Sequence, residues 1–112
     1  MPEIRITPAE GTIVVRAGGA IIAESTQALW LHEESYEPVA YIPRADVGMA
    51  FLEASETRSR CPHKGEAIHF HVVAKSGPIR DAAWSYETPS DFVTPIAGYI
   101  AFYQNKVTVE TL

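Results

Sequence analysis

The amino-acid sequence predicts a mainly β fold, a compact antiparallel domain of two sheets or one rolled sheet with one short helix. Short runs rich in β-branched and aromatic residues alternate with turns that contain glycine, proline or asparagine, which is the pattern of antiparallel strands. The chain has 112 residues, of which 46% are hydrophobic and 21% charged. These values predict one globular domain over residues 1–112, whose core needs no disulfide.

The first half of the chain predicts a hairpin and two further strands. Residues 12–16 and 20–24 flank a segment with two glycines, and because glycine adopts positive φ at little cost, we expect a hairpin around residues 17–19. Residues 28–32 and 39–42 predict the two further strands. The prolines on both sides of the last segment limit its length, since proline cannot donate to a ladder.

A short helix is predicted to follow these strands. Asp46 is a suitable N-cap, because its carboxylate can accept hydrogen bonds from the first turn. Val47 and Phe51 form an apolar i, i+4 pair, although Gly48 between them disfavours a helix. The sequence therefore predicts one short helix in this segment.

The second half of the chain predicts four strands. Residues 67–73 alternate clearly, with apolar side chains on one face, and a Gly-Pro turn leads into a returning strand over residues 79–86. Residues 98–103 and 106–110 predict a last hairpin.

Charge and composition indicate where the protein works and which partners it lacks. The net charge of −5 opposes attraction to nucleic-acid phosphates. No window approaches eighteen apolar residues, so we expect no membrane partner. The single cysteine cannot form an internal disulfide, and the first residues lack a basic leader followed by an apolar run. We therefore expect a cytoplasmic protein, and the sequence leaves homo-oligomerisation open.

Two segments about twenty residues apart hold most of the residues with chemical potential. The first, Cys61-Pro62-His63-Lys64-Gly65, joins the only thiol, a lysine and a turn glycine. The second, Ala83-Trp84-Ser85-Tyr86-Glu87, contributes two aromatic side chains with polar edges. These segments predict the location of a site better than they predict a reaction.

The order and spacing of these and other segments resemble a small bacterial domain-of-unknown-function family, DUF427. The matching segments are Ser25 before Ala28-Leu29, Glu33, residues 38–44 with Asp46-Val47, residues 61–65, residues 83–87 with Pro89, and residues 101–103. The resemblance implies a compact, mostly β domain without an established activity. The family also carries a nucleotidyltransferase-like label, but this chain lacks the paired aspartates expected of metal-dependent nucleotidyl transfer.

The resemblance places the family motif on eight residues, Glu33, Tyr41, Arg44, Asp46, Cys61, Lys64, Trp84 and Tyr86. From these residues we expect a polar pocket that binds, or binds and transforms, a small anionic molecule. Arg44 and Lys64 would donate to a carboxylate or phosphate, and Glu33 and Asp46 would orient these cations or exchange a proton.

The three aromatic residues of the motif, Tyr41, Trp84 and Tyr86, are assigned to ligand binding. Trp84 and Tyr86 are two residues apart, so on a strand they share a face and would form an aromatic wall. The alternative is that Trp84 and Tyr86 lie in the core and that Arg44 pairs with Asp46 to fix a loop. The domain would then be a non-catalytic protein-interaction module.

Cys61 and Lys64 are the catalytic candidates. A lysine three residues from the thiol would favour the thiolate, which suits nucleophilic or redox chemistry. The alternative is a free cysteine that is simply buried, as this residue type often is.

A zinc site is an alternative use of the same segment, although no cofactor is predicted. Cys61, His63, His69 and His71 would be a reasonable set of sulfur and nitrogen ligands, and the last two share a strand face. The spacing lacks the paired Cys-x-x-Cys pattern of structural zinc sites. His69 and His71 would otherwise be two exposed histidines on a solvent face.

Overall fold

The computed structural model describes residues 3–112 of the chain and shows an antiparallel β fold. The strands of this part are β1 (Ile4–Pro8), β2 (Ile13–Ala17), β3 (Ala20–Ser25), β4 (Leu29–Glu33), β5 (Val39–Tyr41), β6 (Leu52–Cys61), β7 (Gly65–Ala74), β8 (Gly77–Ser85), β9 (Ala101–Phe102) and β10 (Thr108–Thr111). Every pair of neighbouring strands is antiparallel. The predicted mainly β, antiparallel fold is therefore confirmed.

The described strands form three sheets. Their strand orders are β1-β4-β5, β10-β2-β3 and β6-β7-β8-β9. The predicted hairpin between β2 and β3 is confirmed, because Ala17 pairs with Ala20 across a turn in which Gly18 and Gly19 both have positive φ. The predicted strands over residues 28–32 and 39–42 correspond to β4 and β5, which pair with each other.

Two core clusters lie on opposite faces of the four-stranded sheet. Phe70 of β7 belongs to the first cluster, together with Ile13 of β2. Ala67 of β7 belongs to the second cluster, together with Leu31 of β4 and Tyr41 of β5. Because residues 67 and 70 point to opposite faces of one strand, the sheet β6–β9 is covered on one face by β2 and β3 and on the other by β4 and β5.

Because both faces of the sheet are covered, the interpretation of His69 and His71 as two exposed histidines is wrong. His69 is only 4% exposed, so it is not a histidine on a solvent face. His71 on the same face is half-buried, and its Nδ1 accepts a hydrogen bond from the backbone N–H of Asp81 at 3.0 Å. Alternation in β7 was correctly predicted, but it does not reveal that a second sheet packs on the polar face.

The predicted helix at Asp46 does not form. The segment instead contains two separate 3₁₀ turns, Arg44–Asp46 and Met49–Phe51, and a third occurs at Asp91–Ile96. Val47 between the first two is extended and forms a bridge to Ala23, and Gly48 N–H donates to Ile22 O at 2.7 Å. Backbone pairing with β3 therefore replaces the helical hydrogen bonds.

The predicted last hairpin is also wrong. β9 pairs with β8, whereas β10 pairs with β2 in a different sheet. A turn does form between the two segments, because the N–H groups of Lys106 and Val107 both donate to Tyr103 O. This turn carries the chain from one sheet to the other.

Two strands, β1 and β6, were not predicted from the sequence. β6 is the edge strand of the four-stranded sheet, and most of its residues are exposed and polar, so it lacks a clear apolar face. Its pairing with β7 is interrupted by a bulge between Ala54 and Arg58. Within residues 3–112, no helix is long and apolar enough to cross a membrane.

Candidate functional site

A groove of about 660 Å³ lies between the sheet β1-β4-β5 and one face of the four-stranded sheet. Side chains from β4 and β5 form one side, and side chains from β6, β8 and β9 form the other. The groove is lined by six of the eight motif residues, Glu33, Tyr41, Cys61, Lys64, Trp84 and Tyr86. It lies on the second core cluster, which holds Tyr41 and Tyr86.

The aromatic wall of the groove consists of the half-buried Trp84 and Tyr103, and the buried Tyr41, which is only 1% exposed, supports Trp84 from behind. The rings of Tyr41 and Trp84 meet edge to face with centroids 6.2 Å apart, and Trp84 Nε1–H donates to Tyr41 Oη at 3.2 Å. The ring of Tyr103 lies 4.4 Å from that of Trp84. Because each ring contacts another and one hydrogen bond fixes the tilt of the indole, the wall is preorganised.

Burial strengthens the preference of the phenol groups in this region for the protonated form, which tyrosine already holds at neutral pH. It raises the pKa of Tyr41 well above its ordinary value and raises the pKa of Tyr86 to about 12. Burial also raises the pKa of Tyr103. At neutral pH these hydroxyls therefore act as hydrogen-bond donors and acceptors and carry no charge.

Lys64 and Glu33 form an ion pair at one end of the groove. Lys64 Nζ lies 2.6 Å from Glu33 Oε1, and the two side chains are only 12% and 15% exposed. The backbone of the lysine is fixed at the turn between β6 and β7, since its N–H donates to Cys61 O and its carbonyl accepts from Ser90 N–H. Gly65, which follows, has a φ of 109° that other residues rarely adopt.

The charge balance of the groove differs from the expected one. Lys64 is the one Lys or Arg side chain among its lining residues in the described part, and Glu33 and Glu37 both line it. Arg44, the other predicted cation, lies elsewhere. The groove is therefore walled mainly by apolar and aromatic groups and carries one cation that is already paired.

Arg44 lies on the opposite face of β8 from the aromatic wall. Its Nη2 donates to Ser85 Oγ at 3.3 Å and to Glu87 Oε2 at 3.1 Å, and its Nε donates to Gly98 O at 3.0 Å. Because Ser85 alternates with Trp84 along the strand, the two side chains point to opposite faces. The expected convergence of Arg44 with Lys64 in one pocket is therefore wrong.

Asp46 also lies outside the groove. Its Oδ2 accepts a hydrogen bond from Ser25 Oγ at 2.6 Å, and it lines a shallow depression beside β3. Arg44 forms its ion pair with Glu87, so the alternative pairing of Arg44 with Asp46 is not observed either.

Cys61, the last residue of β6, is half-buried and lines the groove. The ammonium of Lys64 is held by Glu33, so the cation invoked to activate the thiol already has a carboxylate partner. Catalysis by Cys61 and Lys64 stays a prediction.

The alternative zinc set is not assembled. Among residues 3–112, no three His, Cys, Asp or Glu side chains are placed to hold a metal ion together. Cys61 pairs with Gly65 at one end of β7, and His71 lies six residues further along that strand. This separation amounts to about 20 Å of extended chain, far more than a shared ligand sphere allows. His63 belongs to the turn, where its carbonyl accepts from Ser90 Oγ.

Sequence reasoning missed a second polar feature of the groove, the contact between Ser59 and His69. Ser59 is exposed and lines the groove, and its Oγ lies 2.8 Å from Nε2 of the buried His69. The ring of His69 stacks on Tyr103 at 6.3 Å with an angle of 12°. The contact depends on the register of β6 against β7, in which Ser59 pairs with Ala67, two residues from His69.

By its fold and its groove, the chain is a small antiparallel β domain with an open groove lined by aromatic side chains. Over residues 5–112 the sequence matches a family model described as a domain of unknown function, DUF427, and the chain belongs to this family. The resemblance noted in the sequence is thus confirmed. No curated protein matches the chain.

Proposed function

We propose that the groove binds a small organic acid that has a flat apolar body and a single negative charge. The observation that supports this most directly is the presence, in one groove, of the half-buried rings of Trp84 and Tyr103 and the ammonium group of Lys64. The proposal retains the small anionic ligand expected from the sequence and narrows its chemistry.

The size and lining of the groove support a ligand with an aromatic or other flat body. Its volume of about 660 Å³ lies within the range of small-molecule sites, about 300–1,000 Å³. Planar groups stack on aromatic faces, and such contacts add to the favourable burial of apolar area. Tyr41, Trp84 and Tyr103 are held by mutual contacts, so little ordering is needed when a ligand binds.

The charges of the groove favour one negative charge over several. Lys64 has three N–H donors, of which Glu33 occupies one, so a carboxylate can approach the same ammonium. Glu33 and Glu37 would repel a triphosphate or other polyanion. Arg44, the cation that would offset this repulsion, is engaged by Glu87 on the other face of β8.

The experiment compares indole-3-acetate with its neutral amide and with ATP by ligand-observed NMR on the whole chain. We expect the acid to bind at least about tenfold more tightly than the amide, since the ammonium interacts with its charge, and ATP to show no saturable binding. Lys64→Gln should abolish the preference for the acid, whereas Glu33→Gln should increase it.

Arg16→Gln is the control, because Arg16 forms an exposed ion pair with Glu110 at 2.6 Å on a different sheet, outside the groove. It should leave the preference unchanged. Equal binding of acid and amide by the wild-type chain, or a preference that survives Lys64→Gln, would contradict the proposed role of the lysine.

The protein-interaction alternative also has one supporting observation. Tyr36 lines the groove and is 72% exposed, and exposed aromatic side chains are frequent anchors at protein interfaces. If indole-3-acetate does not bind and a protein partner protects Tyr36 from chemical modification, the interaction module replaces the small-molecule site.

A further inference from the structure

We propose that Ser59 and His69 form a nucleophile–base pair that faces the groove and hydrolyses esters of the acids described above. This inference rests on the proposed ligand class and adds a reaction to it. The residues involved are distinct from Cys61 and Lys64, the catalytic candidates of the sequence.

The geometry is that of an exposed nucleophile backed by a buried base. Ser59 lies on β6 with its side chain exposed at the groove, and His69 lies on the neighbouring β7 and is 4% exposed. The distance of 2.8 Å between Ser59 Oγ and His69 Nε2 is within the reach required for proton transfer. Since the serine faces the groove, its Oγ is accessible to a bound ligand.

A second observation concerns the other nitrogen of the ring. Nδ1 of His69 is buried and has no hydrogen-bond partner among the described residues. Buried polar atoms without a partner are rare in proteins, and a catalytic role is one of the explanations for them. The ring is instead held in place by stacking on Tyr103 and by burial, so its orientation does not depend on a carboxylate.

The electrostatic surroundings keep His69 in the neutral form that a base requires. Burial lowers the pKa of His69 below its ordinary value. The charged groups that act on it are Asp81 of β8, which favours protonation, and Arg58 of β6 and Lys106 before β10, which oppose it. In the tautomer protonated at Nδ1, Ser59 O–H donates to Nε2, which is the arrangement needed for attack.

The reaction balances without an oxidant, reductant or metal. His69 Nε2 takes the proton of Ser59 Oγ while Oγ bonds to the ester carbonyl carbon; the carbon–oxygen bond to the alcohol then breaks, and the alcohol leaves with the proton from His69. A water molecule repeats the sequence on the acyl serine and releases the acid. The net reaction converts one ester and one water into one acid and one alcohol.

The test treats the whole chain with a fluorophosphonate probe and maps the adduct by mass spectrometry. Ser59 Oγ would bond to phosphorus and displace fluoride, with the serine proton lost through His69. We expect the label on Ser59, its loss in Ser59→Ala, and at least about a tenfold slower reaction in His69→Gln, since general-base assistance typically contributes a hundredfold or more. Ser76 is the matched control, an exposed serine in the turn after β7, and Ser76→Ala should label like the wild type.

The second measurement covers the case in which His69→Gln does not fold. Ser59→Cys and Ser76→Cys, each combined with Cys61→Ala, are compared for iodoacetamide alkylation at pH 7. A thiol in contact with an imidazole base forms thiolate more readily, so we expect Cys at position 59 to react several-fold faster than Cys at position 76.

Two results would overturn the pair: a folded wild-type chain that leaves Ser59 unlabelled, or equal alkylation rates at the two positions. Indole-3-acetate binding is measured separately, so failure of the reaction is distinguishable from failure of the ligand class. Binding without labelling removes only the Ser59–His69 reaction.

Discussion

The two faces of the four-stranded sheet differ in how completely they are covered, and side chains of β7 contribute to both. On the face that packs on β2 and β3, Phe70 and Val72 belong to a closed core cluster that includes the fully buried Ile13. On the face toward β4 and β5, Ala67 belongs to the second cluster, and an open groove remains above Trp84 and Tyr103. The first face is therefore closed by packing, and the second leaves polar and aromatic side chains at the surface of the groove.

The largest expected effect is on the closed face. Ile13→Ala removes a side chain with no exposed area and should lower the free energy of unfolding by about 2–5 kcal/mol, because it leaves a cavity in addition to the lost burial. Val39→Ala at the groove, where the side chain is only half-buried, should have less than half that effect. Urea unfolding measures both, and equal losses would show that the two faces are packed alike.

The next effect concerns the ion pair in the groove. Lys64→Met leaves Glu33 without its cation in a site where the two side chains are 12% and 15% exposed. This should lower the free energy of unfolding by about 1–3 kcal/mol, the loss typical of a polar group left without its partner. The double variant Lys64→Met with Glu33→Leu should recover most of this loss, because no unpaired charge remains. A double-mutant cycle from urea unfolding gives the coupling; additive losses would contradict a coupled pair.

A smaller effect on stability is expected when the pH is lowered, through the protonation of His69 on the groove side of the sheet. Because burial lowers the pKa of His69 in the folded chain, the unfolded chain binds more protons between that lowered pKa and the ordinary value of 6.5. The resulting stability is fully present above pH 6.5 and is lost as the pH falls toward the folded pKa. Thermal unfolding should therefore shift to lower temperature from pH 7 to pH 5, and His69→Gln should flatten this dependence.

The smallest effect is expected at the surface pair of Arg16 and Glu110, whose side chains are 49% and 41% exposed. Arg16→Gln should change the free energy of unfolding by no more than about 1 kcal/mol, since exposed pairs are screened by solvent. A loss as large as that of Lys64→Met in urea unfolding would remove the distinction between the partly buried and the exposed pair.

Local sequence patterns predicted the strands that contain dense apolar or β-branched residues. β2, β3 and β7 follow from alternation and turn glycines, and these elements form as expected. β6 could not be predicted, because an exposed edge strand with a bulge has no apolar periodicity. The prediction of a helix at Asp46 was wrong, because the pairing of residues 47–48 with β3 overrides local helix propensity.

The grouping of the motif residues was predicted in part, for a physical reason. Trp84 and Tyr86 share a face because they are two residues apart, and both line the groove. Arg44 comes from another segment, and only the tertiary structure shows that it meets Ser85 on the reverse face. The Ser59–His69 contact likewise required the register of β6 against β7.

The composition of β6 has a consequence for solubility. As an edge strand it offers unpaired backbone groups to other copies of the chain, and such edges promote aggregation. The exposed charges of Glu53, Glu56, Arg58 and Arg60 and the bulge after Ala54 make that pairing unfavourable. The irregularity that leaves this strand without an apolar periodicity thus also disfavours edge-to-edge pairing between copies of the chain.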